Sequence, residues 1–218
     1  MASRFPPVGI FDRVGDPADL EAVFHIEGLT NPRLRQQAGD LSVVPPEDRV
    51  SGPGTTPIMA AFTHLNPDGS RFTDGSYGVY YAARSIHTAI AETRFHRARF
   101  LAMTNEPPIE IDMRAYACDI DSELHDIRGG QDTWPAVYDP DPARYGAAQA
   151  LSRELRAHGS NGIVYDSVRE PGRQCVAVFR RPVLSPVIQG PHFCYVWDRR
   201  AITEVYEKPS YDPVGAGV

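Results

Sequence analysis

The 218-residue sequence has few cysteines, no excess of basic charge and no long hydrophobic run. Cys118, Cys175 and Cys194 are widely spaced and form no CxxC pair, which argues against a disulfide framework or a zinc knuckle. Lys and Arg number 22 against 28 Asp and Glu, and this net charge of −6 disfavours nonspecific nucleic-acid binding. No run reaches the length of a signal peptide or a transmembrane span. These absences predict a protein of the reducing cytoplasm.

Several motifs of well-known enzymes are also missing. The seven histidines show no HExxH or HxH spacing, so the sequence predicts no metal site. The segments DGSYG and RGGQD lack a Walker or dinucleotide fingerprint and are interpreted as turns. Ser167, in YDSVRE, has no GxSxG elbow around it, which argues against a serine hydrolase and favours a hydrogen-bonding role.

Strands and helices are predicted in irregular order. In PPIEIDMRAYACDID, polar or amphipathic residues alternate with Ile109, Ile111, Met113, Ala115 and Ala117, as in a half-buried strand. DPARYGAAQALSRELRAHG is predicted to be a helix with Asp141 as N-cap, Pro142 at its first position and Gly159 after its end. GIVYDSV, CVAVFR and FCYVWD are β-rich and separated by Pro or Gly turns. Without the regular alternation of a doubly wound sheet, this order predicts an α+β fold.

The length fits one domain, residues 1–218. Two helices are predicted near the amino terminus, in DPADLEAVFHIEGL and NPRLRQQAG, each with an Asp or Asn cap followed by Pro. The segment from Asp40 to Pro57 holds four prolines and two glycines and is predicted to be a loop. Periodicity does not decide the type of the apolar segment IMAAFTHL that follows.

The segment GVYYAARSIHTAIAETRFH, Gly78 to His96, is the most informative. GVYYAA predicts a short strand, and Ser85 is expected to cap the helix that follows. Glu92 lies at the border of that helix's apolar stripe, with Thr88 and His96 one turn away on either side. The alternative to a functional carboxylate is a solvated glutamate paired with His96, since charged side chains are mostly exposed.

Tyr80, Tyr81 and Arg71 lie close to this helix in sequence. The two tyrosines alternate in direction along the strand, so one is expected in the core and the other is available to stack on a planar ring. Two core or edge tyrosines are the alternative. Arg71, in the loop GSRFTDG, is placed to hold a phosphate or diphosphate bidentately, and the alternative is a surface arginine.

In this order, GSRFTDGSYGVYYAARSIHTAIAETRFH and the distant GIVYDSVREPGRQCVAVF resemble the RES domain, named for its Arg, Glu and Ser. SRFPPVGIFDRV, TNPRL and AAFTH resemble a longer branch of that family. The similarity therefore covers nearly the whole chain and makes residues 1–56 an amino-terminal helical and loop extension packed on the domain. Four residues match the family's functional positions: Arg71, Tyr81, Glu92 and Ser167.

The resemblance implies a fold similar to bacterial ADP-ribosyltransferases such as diphtheria toxin, with mixed central sheets and flanking helices. It implies NAD as a consumed substrate, with no other cofactor. Glu92, Arg71 and Tyr81 are then expected to be catalytic, and Arg71, Tyr81 and Ser167 to bind NAD. Cleavage of the nicotinamide–ribose bond develops positive charge on the ribose, which a carboxylate stabilises. Cys175 stands where many members have asparagine, so no role is assigned to it.

RES proteins are the toxins of pairs with Xre-type antitoxins. The resemblance therefore implies an inhibitory helix-turn-helix partner that covers the active site, without direct nucleic-acid or membrane contact. Mono-ADP-ribosyl transfer to a host protein is the preferred activity. An NAD glycohydrolase or phosphorylase would use the same residues, and the sequence does not disclose the acceptor. A catalytically silent antitoxin-binding module is the third alternative, against which the four matched residues speak together.

Overall fold

The computed structural model describes Asp12 and residues 39–209, which form the predicted α+β fold. The helices are α1 (Thr56–Thr63), α2 (Ile86–Ala102) and α3 (Gly146–Ala157). The strands are β1 (Tyr80–Ala83), β2 (Ile109–Ala117), β3 (His125–Asp126), β4 (Gly162–Asp166), β5 (Gln174–Val178), β6 (Ile188–Trp197) and β7 (Ile202–Lys208). The two predicted amino-terminal helices lie outside the described residues, and the single-domain organisation with residues 1–56 as an extension stays a prediction.

The described chain divides into two units, each with its own sheet. Residues 39–92 and 118–187 carry a sheet with the strand order β1-β5-β4-β3, and residues 93–117 and 188–209 carry one with the order β2-β6-β7. Strands β3 and β4 are parallel, whereas every other pair is antiparallel. No helix in these ranges is long and apolar enough to cross a membrane.

The four-stranded unit is built around an aromatic and aliphatic core. Its strands β4 and β5 are central, in agreement with their apolar sequences GIVYD and QCVAV. The buried cluster comprises Phe72, Tyr77, Val79, Ile127, Val137, Tyr138, Ala148, Ile163, Tyr165, Cys175, Ala177 and Phe179. The ring of Phe72 meets that of Tyr165 edge-on at 4.9 Å between centroids. Because Phe72 follows Arg71 directly, this packing draws the Arg71 loop against the sheet.

The three-stranded unit confirms the predicted strand at Ile109–Ala117, which pairs with β6. Strand β7 was not predicted from the sequence. It pairs with β6 over most of its length, with Ile202 opposite Trp197, while Glu204 is exposed. The charged residues of β7 interrupt the apolar pattern that would predict a strand, and the strand is evident only from its pairing with β6.

Local capping signals set two of the helix boundaries. Ser85 Oγ accepts the backbone N–H of Thr88 at 3.2 Å, which confirms Ser85 as the N-cap of α2. Gly159 follows α3 with a φ of +80°, a conformation that glycine adopts without steric cost. Asp141 accepts the N–H of Ala143 at 3.0 Å, but it caps a separate 3-10 turn.

Two predicted boundaries are therefore corrected. The predicted helix from Pro142 is a 3-10 turn over Pro142–Arg144 followed by α3, because Tyr145, at φ −71° and ψ −1°, interrupts the regular geometry. The predicted loop from Asp40 contains 3-10 turns at Leu41–Val43 and Pro46–Asp48 and ends where α1 begins. The undecided segment IMAAFTHL lies largely within α1.

Gly78 provides a test of the packing before β1. A Cβ atom at this position would lie 2.2 Å from Phe62 Cα and 2.6 Å from the Ala61 carbonyl oxygen, both backbone atoms of α1. We expect Gly78→Ala to lower the free energy of unfolding by about 1–3 kcal/mol through overpacking. Gly146→Ala is the control, since a Cβ atom there meets nothing within 4 Å. Urea denaturation measures both changes, and equal midpoints for the two variants would contradict this packing.

Candidate active site

Arg71 is buried, with 6% of its surface exposed, so it is not the surface arginine of the alternative interpretation. Its Nη1 donates to the Val137 carbonyl oxygen at 2.8 Å, and its Nη2 donates to the Tyr145 hydroxyl at 3.3 Å. The guanidinium carbon also lies 4.4 Å from the centroid of the Tyr145 ring. Within the described residues, Arg71 has no carboxylate partner. Because its hydrogen-bond partners Val137 and Tyr145 are neutral groups, the positive charge of Arg71 is not neutralised by them and can attract an anionic ligand.

The hydroxyl of Tyr81 holds the chain on both sides of Arg71. It accepts the backbone N–H of Phe72 at 2.9 Å and forms a 2.8 Å hydrogen bond with Ser70 Oγ. Burial of this hydroxyl raises the pKa of Tyr81 above its ordinary value. The residue as a whole is nevertheless 37% exposed. The stacking role of the ring stays a prediction, while the hydroxyl has a positioning role that the sequence did not indicate.

Glu92 is half-buried and accepts a 2.6 Å hydrogen bond from Ser167 Oγ at its Oε1 atom. The Ser167 oxygen itself accepts the backbone N–H groups of Arg169 and Glu170, at 3.1 and 3.0 Å. A hydroxyl has one proton and two lone pairs. Because backbone donors occupy both lone pairs, the proton of Ser167 is directed to Glu92. Glu92 is therefore a half-buried carboxylate oriented by Ser167, not a fully solvated one.

Cys175 is the unassigned residue that the structure brings to the site. Its Sγ lies 3.9 Å from Glu92 Oε1, because β5 runs between β1 and β4. Burial, and then the negative charge of Glu92, raise the pKa of Cys175 to about 12. At neutral pH it is therefore a protonated thiol and a weak hydrogen-bond donor, not a thiolate nucleophile.

Tyr145 and Arg169 are contacts that sequence reasoning missed. The Tyr145 hydroxyl accepts from Arg169 Nη2 at 3.2 Å as well as from Arg71. Arg169 also donates to the Pro140 carbonyl oxygen. The spacing of Arg169 two residues after Ser167 was a visible signal, whereas nothing around Tyr145 in DPARYG marks it. Its role arises only from its buried position beside Arg71.

A cavity of about 390 Å³ adjoins this region. It is lined by Gln131, Pro135, Tyr138, Asp139, Pro140, Ser167, Val168, Pro171 and Gly172. Of the four predicted residues, only Ser167 lines it. All four nevertheless lie in the four-stranded unit, as two local arrangements: Glu92 with Ser167, and Arg71 on the loop held by Tyr81. No group of three or more His, Cys, Asp and Glu side chains within residues 39–209 is arranged to hold a metal ion.

Comparison with known proteins identifies the family of this chain. The RES domain family profile matches residues 46–198, a range that includes all four predicted residues. A Sinorhizobium fredii protein named "Uncharacterized protein y4oC" is 31% identical over 222 residues, covering 99% of this chain and 87% of that protein. The chain belongs to the RES domain family, as its motifs predicted. This family is associated with NAD-related toxins of toxin–antitoxin systems, and its members are typically paired with an antitoxin.

Removal of the Tyr81 hydroxyl is expected to change amide exchange in the Arg71 loop. In Tyr81→Phe the Phe72 N–H loses its acceptor, so we expect hydrogen–deuterium exchange at Phe72 to rise roughly two- to tenfold, the range expected for one net hydrogen bond. Tyr80→Phe is the matched control, because the Tyr80 hydroxyl contacts Cys118 Sγ, at 3.6 Å, and not the Arg71 loop. Exchange measured by NMR should separate the variants. Unchanged Phe72 protection in Tyr81→Phe would show that the hydroxyl does not hold the loop.

Proposed function

We propose that this protein consumes NAD by cleaving the bond between nicotinamide and ribose, and that it transfers the ADP-ribosyl group to a host protein. The observation that carries the proposal is the Glu92 carboxylate, oriented by Ser167 at 2.6 Å. It lies in the same unit as Arg71, a buried guanidinium without a carboxylate partner in the part of the chain that the structure describes. An oriented anion stabilises a cationic sugar, and a buried cation binds phosphate.

In the proposed reaction, the electron pair of the C1′–N bond moves to the pyridinium nitrogen, and neutral nicotinamide leaves. The ribose acquires oxocarbenium character, as in glycoside hydrolysis. The negative charge of Glu92 stabilises this developing cation. Because Ser167 orients the carboxylate, little reorganisation is needed when the charge appears. Tyr81, which is 37% exposed, supplies the proposed stacking surface for the nicotinamide.

The acceptor completes the reaction at C1′. A nucleophilic group of a host protein forms the new bond to this carbon and releases its proton to solvent. With water or phosphate as the acceptor, the same catalytic residues Glu92, Arg71 and Tyr81 would make the protein a glycohydrolase or a phosphorylase. The proposal of a protein acceptor is supported by residues 1–45, which precede the RES-matched region and fall within an alignment covering 99% of the chain. They provide additional chain for contacts with a macromolecule.

Labelled NAD tests this proposal. When the protein is incubated with a cell lysate and NAD labelled in its adenylate portion, we expect discrete labelled protein bands together with released nicotinamide. Glu92→Gln retains the shape and removes the charge, so nicotinamide release should slow on the order of 10²–10³-fold. Glu154→Gln makes the same change at an exposed position of α3 and should match the wild type.

The products distinguish the alternatives. Free ADP-ribose without labelled bands would show that the reaction is hydrolysis and not transfer. ADP-ribose phosphate would show that it is phosphorolysis. Intact NAD would overturn the enzymatic proposal and favour the silent antitoxin-binding module. Unimpaired turnover by a folded Glu92→Gln protein would remove Glu92 from the catalytic role.

The proposed partner is an Xre-type antitoxin with a helix-turn-helix that covers this site. The family's typical pairing with an antitoxin supports this partner. Because the net charge of −6 disfavours DNA binding by the toxin itself, we expect any DNA contact of the complex to come from the partner. Arg71 offers a buried cation that an acidic side chain or a terminal carboxylate of the antitoxin would bind.

Competition between antitoxin and substrate follows from this placement. In calorimetric titrations, toxin saturated with a non-hydrolysable NAD analogue should bind antitoxin more weakly than free toxin does. Arg71→Ala should weaken the binding of both the analogue and the antitoxin, because each loses the same guanidinium. Equal antitoxin affinity with and without the analogue would place the inhibitory contact elsewhere on the toxin.

A further inference from the structure

Arg169 meets Arg71 at one buried oxygen atom. Nη2 of Arg71 and Nη2 of Arg169 lie 3.3 and 3.2 Å from the hydroxyl of Tyr145, which is only 4% exposed. The atom that both guanidinium groups contact is the oxygen of a neutral hydroxyl group. Two cations held at one neutral atom produce a concentrated positive potential.

The Tyr145 hydroxyl adds a third donor to this junction. A phenol oxygen accepts hydrogen bonds through its lone pairs and donates its own single proton. The two arginines supply both hydrogen bonds that this oxygen accepts, and no described residue accepts the proton of Tyr145. An oxygen of a phosphate group accepts such a proton and the guanidinium N–H groups alike.

The position of Arg169 couples this junction to the carboxylate. Its backbone N–H is one of the two donors that orient Ser167 Oγ toward Glu92. Its side chain donates to the carbonyl oxygen of Pro140, and both Pro140 and Ser167 line the cavity of about 390 Å³. Arg169 therefore connects the arginine junction to two residues that line this cavity and, through Ser167, to the proposed catalytic carboxylate.

We propose that Arg71, Arg169 and Tyr145 form a receptor for a diphosphate and select a dinucleotide over a mononucleotide. A diphosphate has two adjacent anionic groups, which match the two guanidinium groups. Arg71 and Arg169 are binding residues in this receptor, and Tyr145 is the positioning residue that sets their separation. The inference rests on the proposed cleavage of NAD and names the part of the substrate that Arg169 recognises.

Steady-state kinetics with NAD and nicotinamide mononucleotide test the receptor, since the mononucleotide has a single phosphate. We expect Arg169→Ala to raise KM for NAD roughly ten- to hundredfold, the cost of one charge-assisted contact, while kcat changes little. KM for the mononucleotide should rise much less, so the preference for NAD falls. Arg169→Lys should recover only part of the affinity, because lysine lacks the planar fork. Tyr145→Phe retains the ring and should raise KM for NAD in the same direction.

Arg173→Ala is the matched control. Arg173 lies on the same turn and carries the same charge, but it is exposed and its hydrogen bonds are made by its backbone, to Ser167 and Glu170. Kinetic constants of this variant should equal those of the wild type. Circular dichroism of each variant checks that the fold is intact, and Tyr145→Phe provides a second route if Arg169→Ala does not fold.

Calorimetric binding of inorganic pyrophosphate separates this inference from the proposed function. Wild type and Arg173→Ala should bind pyrophosphate more tightly than orthophosphate, and Arg169→Ala should lose that preference. If pyrophosphate binds in this manner but NAD stays intact, the receptor stands and the proposed reaction fails. If NAD is cleaved but Arg169→Ala matches Arg173→Ala in KM and in pyrophosphate binding, the receptor is overturned.

Discussion

The hydrogen bond from Ser167 to Glu92 is the contact on which the site depends. Glu92 belongs to the helix after β1, and Ser167 follows β4, so the two residues are 75 positions apart in the chain. The strand order β1-β5-β4 brings the ends of these elements together, and Cys175 on β5 adds a weak donor to the same carboxylate oxygen. The 2.6 Å bond has a defined direction because backbone N–H groups occupy the lone pairs of Ser167. A proposed catalytic charge is thus oriented by the backbone of one turn.

Arg71 imposes the second constraint. Burying a guanidinium is unfavourable unless hydrogen bonds compensate for the lost hydration, and here the Val137 carbonyl and the Tyr145 hydroxyl provide them. Tyr81 fixes the adjoining backbone. The contacts of Arg71 with Val137 and Tyr145 do not neutralise its charge. The buried cation therefore lowers the stability of the fold and would be stabilised by an anionic ligand. Arg169 links the two constraints, since its backbone orients Ser167 while its side chain reaches Tyr145.

Much of the local structure was predictable because its causes are local. The Ser85 cap of α2 and the strand β2 are indicated by neighbouring residues, and the structure confirms both. Strand β7 was missed because its charged residues mask the pattern, and only its partner β6 makes it a strand. The break before α3 was missed for a related reason: the side chain of Tyr145 is buried against Arg71, and a residue's tertiary environment overrides its helix signal.

From the sequence alone it was possible to determine the α+β class and the RES family and to propose Arg71, Tyr81, Glu92 and Ser167 as site residues, because residue types at set spacings carry that information. The tertiary structure alone decided how these residues act on one another. It buried Arg71, turned the Tyr81 hydroxyl toward the arginine loop, aimed the Ser167 proton at Glu92 and placed Cys175 beside them. These contacts join segments distant in the chain, and their geometry follows from strand order and core packing, which no local pattern encodes.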